Sequence, residues 1–439
     1  MKRRSFAKLA ALAGMSASLP VSTRSARAAA DAYEGPYYIM VNAGGGWDPR
    51  FMFDPIIHPE QNRLYTDIGK IGNINYAPIA LPAADPAAEY DANSILLTNE
   101  QFLTKHGSRL LVLNGVDMET NNHDAGSRSI WSGKLQEGYP SIGALIAAEK
   151  AKAQPMAYLS SGGFDNTEGV VPLTRVGSAN ILRKIAYPNR LYPDDPESTN
   201  TYHSPKTWAM IQKLQAERLD EKLATASLPR AQLSMADLQL ARANDDDLQK
   251  LDLPDELVSL DGYDLRSLER AMQQAQIAVS AFSSGIAAAV NLSTGGFDTH
   301  GNHDRDQPER IANLLSLIDF TIAEVEKAGL TDKVVILVGS DFARGPFYNG
   351  PNDNDGKDHW PIGSFLALGA GIEGNRVIGA TTIDQRPMGV DVSTLKTVEA
   401  SAGAVLSATH IHHAIRDLAG LSALTADFPL TGAKLPLFG

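Results

Sequence analysis

The sequence predicts an α/β fold: a helix-covered sandwich with a mainly parallel central sheet and a largely helical insertion. Three observations predict it. Short, mostly apolar runs of strand length recur, helical patterns separate several of them, and one central stretch breaks the alternation. In chain order the strand-like runs are residues 37–43 (YYIMVNA), 109–114 (RLLVLN), 289–294 (AVNLST), 333–339 (KVVILVG) and 364–368 (SFLAL). Runs apolar on both alternating faces belong to strands covered on both sides. The helical patterns are 142–152, 265–288 and 306–328, the last with Ile311, Leu314, Leu315, Ile318 and Ile322 at three- and four-residue spacing. Over 160–262 prolines and acids interrupt the pattern around helical stretches at 207–225 and 234–243, which reads as an insertion or cap. Its acid runs at 192–197 (YPDDPE) and 245–247 (DDD) read as solvated faces.

Residues 1–30 read as an address. Lys2-Arg3-Arg4-Ser5-Phe6-Ala7-Lys8 sets paired arginines ahead of an apolar run at 9–19, and two small-x-small sites follow, Ala26-Arg27-Ala28 and Ala28-Ala29-Ala30. That run is too short to span a bilayer. The expectation is a twin-arginine signal, the twin-arginine translocase as partner during export, and a periplasmic or secreted domain over 31–439 without stable membrane insertion. Six of the 39 basic residues and none of the 51 acidic ones lie in the first thirty, so the remainder carries a net charge near −18. Nucleic acid is thereby disfavoured as a partner. Cysteine is absent, which removes disulfides, thiolate nucleophiles and Cys metal ligands together.

Open α/β sheets bind ligands beyond the carboxyl ends of their strands. Four such places carry Asp or His: Gly44-Gly45-Gly46-Trp47-Asp48; Gly295-Gly296-Phe297-Asp298-Thr299-His300 running on to His303; Ser340-Asp341; and the loop holding Asp358-His359-Trp360. Carboxylate and imidazole are the ligands a divalent zinc, manganese or iron ion takes where thiolates are lacking. Asp48, Asp298, His300, His303, Asp341, Asp358 and His359 are therefore candidate metal ligands. The tract Thr409-His410-Ile411-His412-His413, before a helix expected at 414–421, reads as surface or capping residues.

These residues resemble a known bacterial family, domain of unknown function 1501. Gly-Gly-Phe-Asp-Thr-His at 295–300, Ser340-Asp341-Phe342 with Arg344 and Pro346, Asp358-His359-Trp360-Pro361 and the glycine-rich 369–381 are similar to its GGWDTH, SEFGRTP, GxDHWP and AGGGIKGG wording. The resemblance implies an alkaline phosphatase-like α/β/α sandwich of the alkaline phosphatase and sulfatase superfamily. It makes Asp48 a first-strand ligand, Asp298 with His300 or His303 a middle pair, Asp341 the acid of a Ser-Asp-His-Gly turn, and His359 a late histidine. Phe342 stands where the superfamily has a histidine, and Asp341 and Gly345 replace the family's commoner Glu and Thr. Aligned on Gly133, the stretch 123–133 (HDAGSRSIWSG) puts His123 on the sulfatase nucleophile. There an imidazole is open to service as ligand, base or nitrogen nucleophile, with Thr120 and Ser127 nearby, while Asn121-Asn122-His123-Asp124 also reads as a helix cap. The implied function is metal-dependent hydrolysis of an anionic phosphate or sulfate ester, small or polymeric, the anion held by Arg344 or Arg128. The alternative is a secreted binding or assembly protein without turnover.

Overall fold

The computed structural model describes residues 31–81, 95–175, 179–193, 195, 197–228, 231, 235, 248–249, 251, 253–254, 256–261 and 265–439. The signal segment, the acid run 245–247 and, but for residue 235, the expected helix 234–243 lie outside them. The chain divides into two compact units, a larger one of Tyr33–Lys152, Met156–Gly177 and Leu253–Gly439 and a smaller one built mainly from Ser178–Asp252.

The strands of the larger unit are β1 (Tyr37–Gly44), β2 (Gly69–Ile71), β3 (Ile74–Tyr76), β4 (Leu110–Asp117), β5 (Tyr158–Ser160), β6 (Leu173–Arg175), β7 (Ala289–Gly295) and β8 (Val334–Ser340). They continue with β9 (Ala343–Tyr348), β10 (Lys357–Trp360), β11 (Ile362–Gly369), β12 (Arg376–Ile378), β13 (Gly389–Val390), β14 (Thr397–Val398) and β15 (Ala404–Val405). Helices, numbered through both units, are α1 (Asn99–His106), α2 (His123–Ser132), α3 (Ile142–Lys150), α4 (Ala179–Ala186), α5 (Pro205–Thr225), α6 (Arg266–Ser283), α7 (His303–Lys327) and α8 (Ala408–Leu418). Of these helices, α4 and α5 belong to the smaller unit. There Ser204 caps α5 by accepting from the Thr207 N–H, and Leu219 is the one buried side chain of that helix among the described residues. No helix among the described residues is long and apolar enough to cross a membrane.

Eight strands form the central sheet in the order β12-β4-β11-β8-β1-β7-β5-β6. It is mainly parallel, as expected; β11 alone runs against its neighbours β4 and β8. Strand β1 is buried along nearly its whole length because both faces are covered. Tyr38 and Met40 join a core with Ile130 and Trp131 of α2, Leu145 of α3 and Ile411 of α8. Tyr37, on the opposite face, stacks on Phe282 of α6. Register then places the site: Gly44 lies beside Gly295 and Ala43 beside Ser340, so β1, β7 and β8 finish level at one edge.

Differences from expectation have local causes. Strands β5, β6 and β12 are three residues each, too short to show a period. Helix α6 stops at Ser283 rather than 288, since Gly285 takes a left-handed φ of 66°. Helix α8 begins at Ala408, so the histidine tract is helical: His410 completes a capping box with Ser407. His412 is fully buried, its Nε2 on the Ile130 carbonyl, and burial pushes it down to about 3.

Candidate metal centre

The glycine turn after β1 exists for close approach. Gly45 and Gly46 have φ of 120° and 80°, and a Cβ on either would strike the Asp298 N–H (2.5 Å) or the Phe342 ring (2.7 Å). This permits the loop after β7, carrying Asp298 and His300, to lie against the turn, with Phe342 beneath. Hairpin β9–β10 folds over from the end of β8 with Arg344 opposite His359. Helix α2 starts with His123 because Asn122 caps it, accepting from the Ala125 N–H at 3.1 Å, and Gly133 ends it with a φ of 76°.

His123, Asp298 and His359 thus come together with one donor atom each inside a 4.8 Å group. His300 joins them: its Nε2 is 3.1 Å from Asp298 Oδ1 and 3.0 Å from His359 Nε2. The far nitrogens set the tautomers. His359 Nδ1 faces the Asn121 carbonyl oxygen at 2.8 Å and His300 Nδ1 faces Asp358 Oδ1 at 3.2 Å, both pure acceptors. In its neutral form each ring donates through Nδ1 and turns Nε2 toward the other and toward Asp298. Ring nitrogens converging with a carboxylate oxygen are a donor set for a divalent transition ion. Phe342, fully buried, packs under the rings at 4.7 Å from His123 and 4.4 Å from His359. Burial pushes the Asp298 carboxyl up, but His359, Arg344, His300 and His123 outweigh it and hold it below the usual range.

Other candidates lie elsewhere. Asp48 and His303 are fully buried in a closed network: Asp48 Oδ2 accepts from Lys357 Nζ at 2.7 Å and meets His303 Nε2 at 3.0 Å. Lys357 also donates to the Gln61 carbonyl, and His303 Nδ1 meets Thr299 Oγ1 at 2.7 Å. Burial would raise the Asp48 carboxyl, yet Lys357 and His303 hold it at about 2. An ammonium already neutralises this carboxylate, so the pair expected as ligands forms an ion-pair core instead. Asp358 stands behind His300, and Asp341 is 2% exposed behind His123.

Arg344 is not free for an anion, and Arg128 is held in part. Arg344 is fully buried and donates to the carbonyls of Gly46, Gly45 and Lys357, with Asp298 Oδ1 at 3.0 Å from Nη1. It braces the glycine turn and Asp298. Arg128 donates to the Leu135 carbonyl and pairs with Glu137. Thr120 accepts from the Asn122 N–H, and Ser340 donates to the Ala43 carbonyl. Lys357 had drawn no notice in the sequence, where nothing distinguishes a buried lysine from a solvated one.

Fold and site define an α/β protein with a candidate metal centre at the carboxyl edge of a mainly parallel sheet. The chain belongs to the family described as "Protein of unknown function (DUF1501)", which matches residues 39–399. No curated protein matches it. Among solved structures it is similar to a 2-O GAG sulfatase (9% identity, 89% of this chain and 72% of that one, TM-score 0.34). It is also similar to Ps i-CgsB in complex with k-i-k-neocarrahexaose (8%, 91% and 75%, 0.39). A third is a TAB5 alkaline phosphatase variant with Mg bound (8%, 90% and 100%, 0.32). Likenesses this distant say nothing of substrate or reaction.

Proposed function

We propose that the protein is an exported, metal-dependent hydrolase of phosphate or sulfate esters, working with a single divalent ion held by Asp298, His300, His359 and His123. The observation that carries this is the convergence of the His123, His300 and His359 Nε2 atoms on the Asp298 carboxylate, at 3.5, 3.1 and 3.1 Å. A bound ion would supply Lewis acidity toward an ester oxygen and activation of water. The chain's own part is to aim the ligands: Asn121 and Asp358 fix two rings, Arg344 holds Asp298, and Phe342 keeps water from beneath. Exposures of 40%, 44%, 48% and 24% at His123, Asp298, His300 and His359 leave the centre open to a bulky or polymeric ester. With Arg344 committed and Arg128 held in part by Leu135 and Glu137, the anion falls to the ion and to the amino end of α2, whose dipole favours negative charge.

Phe342 in a histidine's place and the commitment of Arg344 favour a second reading, a secreted binding protein that keeps the ion without turnover. Hydrolysis of aryl phosphate, phosphodiester and aryl sulfate panels, with and without chelator, compared with Asp298→Ala, decides between them. The hydrolase reading expects metal-dependent turnover that the variant loses. Bound metal with equal silence from both proteins supports the second reading. The paired arginines and the site at Ala28 or Ala30 support export by the twin-arginine translocase to the periplasm. Full export of a variant with Arg3 and Arg4 both changed to Lys would contradict that route.

A further inference from the structure

The carboxylate of Asp341 follows β8 directly and lies beneath the centre. Oδ1 accepts from the Gly45 N–H at 3.0 Å, and Oδ2 lies 3.2 Å from the same N–H and 2.6 Å from His123 Nδ1. It is 2% exposed and faces the ring from behind, away from the convergence of the other imidazoles. Helix α2 is brought to it by Gly126, one turn after His123: a Cβ there would collide with the Asp341 carbonyl oxygen. Any larger residue would lift the first turn of α2 and open the short bond from Asp341 to His123.

We propose that Asp341 is a positioning residue and not a ligand: it holds His123 in the Nδ1–H tautomer so that Nε2 presents its lone pair to the centre. An ionised carboxylate cannot donate, so a ring nitrogen 2.6 Å from it must carry the proton. In the neutral ring the remaining nitrogen, 3.5 Å from Asp298 Oδ2, is then the lone-pair end. A carboxylate behind a ligating imidazole fixes its orientation and raises its basicity, and losing one costs roughly 10–100-fold in metal affinity. The inference rests on the metal reading for its affinity consequence, but not for the tautomer.

Two measurements on the full chain test it. First, chelator-stripped protein is titrated with cobalt(II), following the absorption of the bound ion. Asp341→Asn, which keeps the size and one acceptor oxygen, is expected to weaken cobalt binding roughly 10–100-fold. In a His123→Gln background the same change is expected to add nothing, because Asp341 acts through His123. Equal losses in both backgrounds, or none in either, would overturn the proposal. Second, nitrogen-15 NMR of the metal-free protein reads the ring directly: His123 is expected as the Nδ1–H tautomer, mixing with the other in Asp341→Asn. An Nε2–H ring in the native chain, or one unmoved by the substitution, would overturn it. Native protein that binds no cobalt yet shows the Nδ1–H ring would sink the metal reading and leave the positioning role standing.

Discussion

Replacing Lys357 with methionine removes the only ammonium from the buried pocket behind the centre, among the described residues, while roughly preserving volume. The lost contacts are the 2.7 Å bonds to Asp48 Oδ2 and to the Gln61 carbonyl. Asp48 keeps the Arg50 N–H at 2.8 Å and His303, but its charge is no longer balanced in a site without solvent. Breaking a buried pair from one side costs about 3–5 kcal/mol. The pH dependence has a definite sign. In the native chain the Asp48 carboxyl is lowered from 3.8 to about 2, so its contribution is full above the unfolded value and lost as pH falls through the folded one. In Lys357→Met, burial is opposed only by His303 and the Arg50 N–H, the carboxyl rises, and the variant gains relative stability as Asp48 takes up a proton. Urea unfolding of chelator-treated protein by far-UV circular dichroism should show the full deficit at pH 7 and a smaller one near pH 4.5. A variant within about 1 kcal/mol of native at pH 7, well below the range for a broken buried pair, would refute the reasoning, as would a deficit independent of pH.

Five further substitutions separate the centre from its frame. His359→Ala changes a partly exposed ring, so thermal unfolding should move by no more than about 0.5–1 kcal/mol, whereas Asp298→Ala also unpairs the buried Arg344 and should cost about 3–5 kcal/mol; in both, cobalt affinity should fall further than for Asp341→Asn. Gly126→Ala should destabilise by about 1–3 kcal/mol through overpacking against Asp341, despite alanine's better helix propensity, and should weaken cobalt binding as well. Arg344→Met should cost about 3–5 kcal/mol by stranding the Gly45 and Gly46 carbonyls and Asp298, whereas Arg128→Ala should cost about 1 kcal/mol and leave any turnover unchanged.

The frame was legible where burial imposes a pattern. Strands β1, β4, β7 and β8 are covered on both faces, so their apolar runs stand out, and polar residues just past their ends mark the sheet edge. Asp298, His300 and His359 were singled out by that placement, and His123 by the family resemblance, with a helix cap as its other reading. Asp48 and His303 show where such reasoning stops: ligand chemistry and ion-pair chemistry use the same side chains. The deciding partner, Lys357, lies 309 residues from Asp48 in the chain. Arg344 is similar, since its partners are the carbonyls of Gly45 and Gly46, which no side-chain motif announces. The triple glycine was legible as a turn, but not as the clearance that admits Phe342 and the Asp298 loop.

Metal content per chain is the most direct test. Elemental analysis of the purified full chain, before and after chelation and reloading, should find one divalent transition ion per chain, and His359→Ala should lose it while remaining folded. A fully folded native protein that holds none after reloading would contradict the centre, and two equivalents would contradict the assignment of Asp48 and His303 to the Lys357 ion pair.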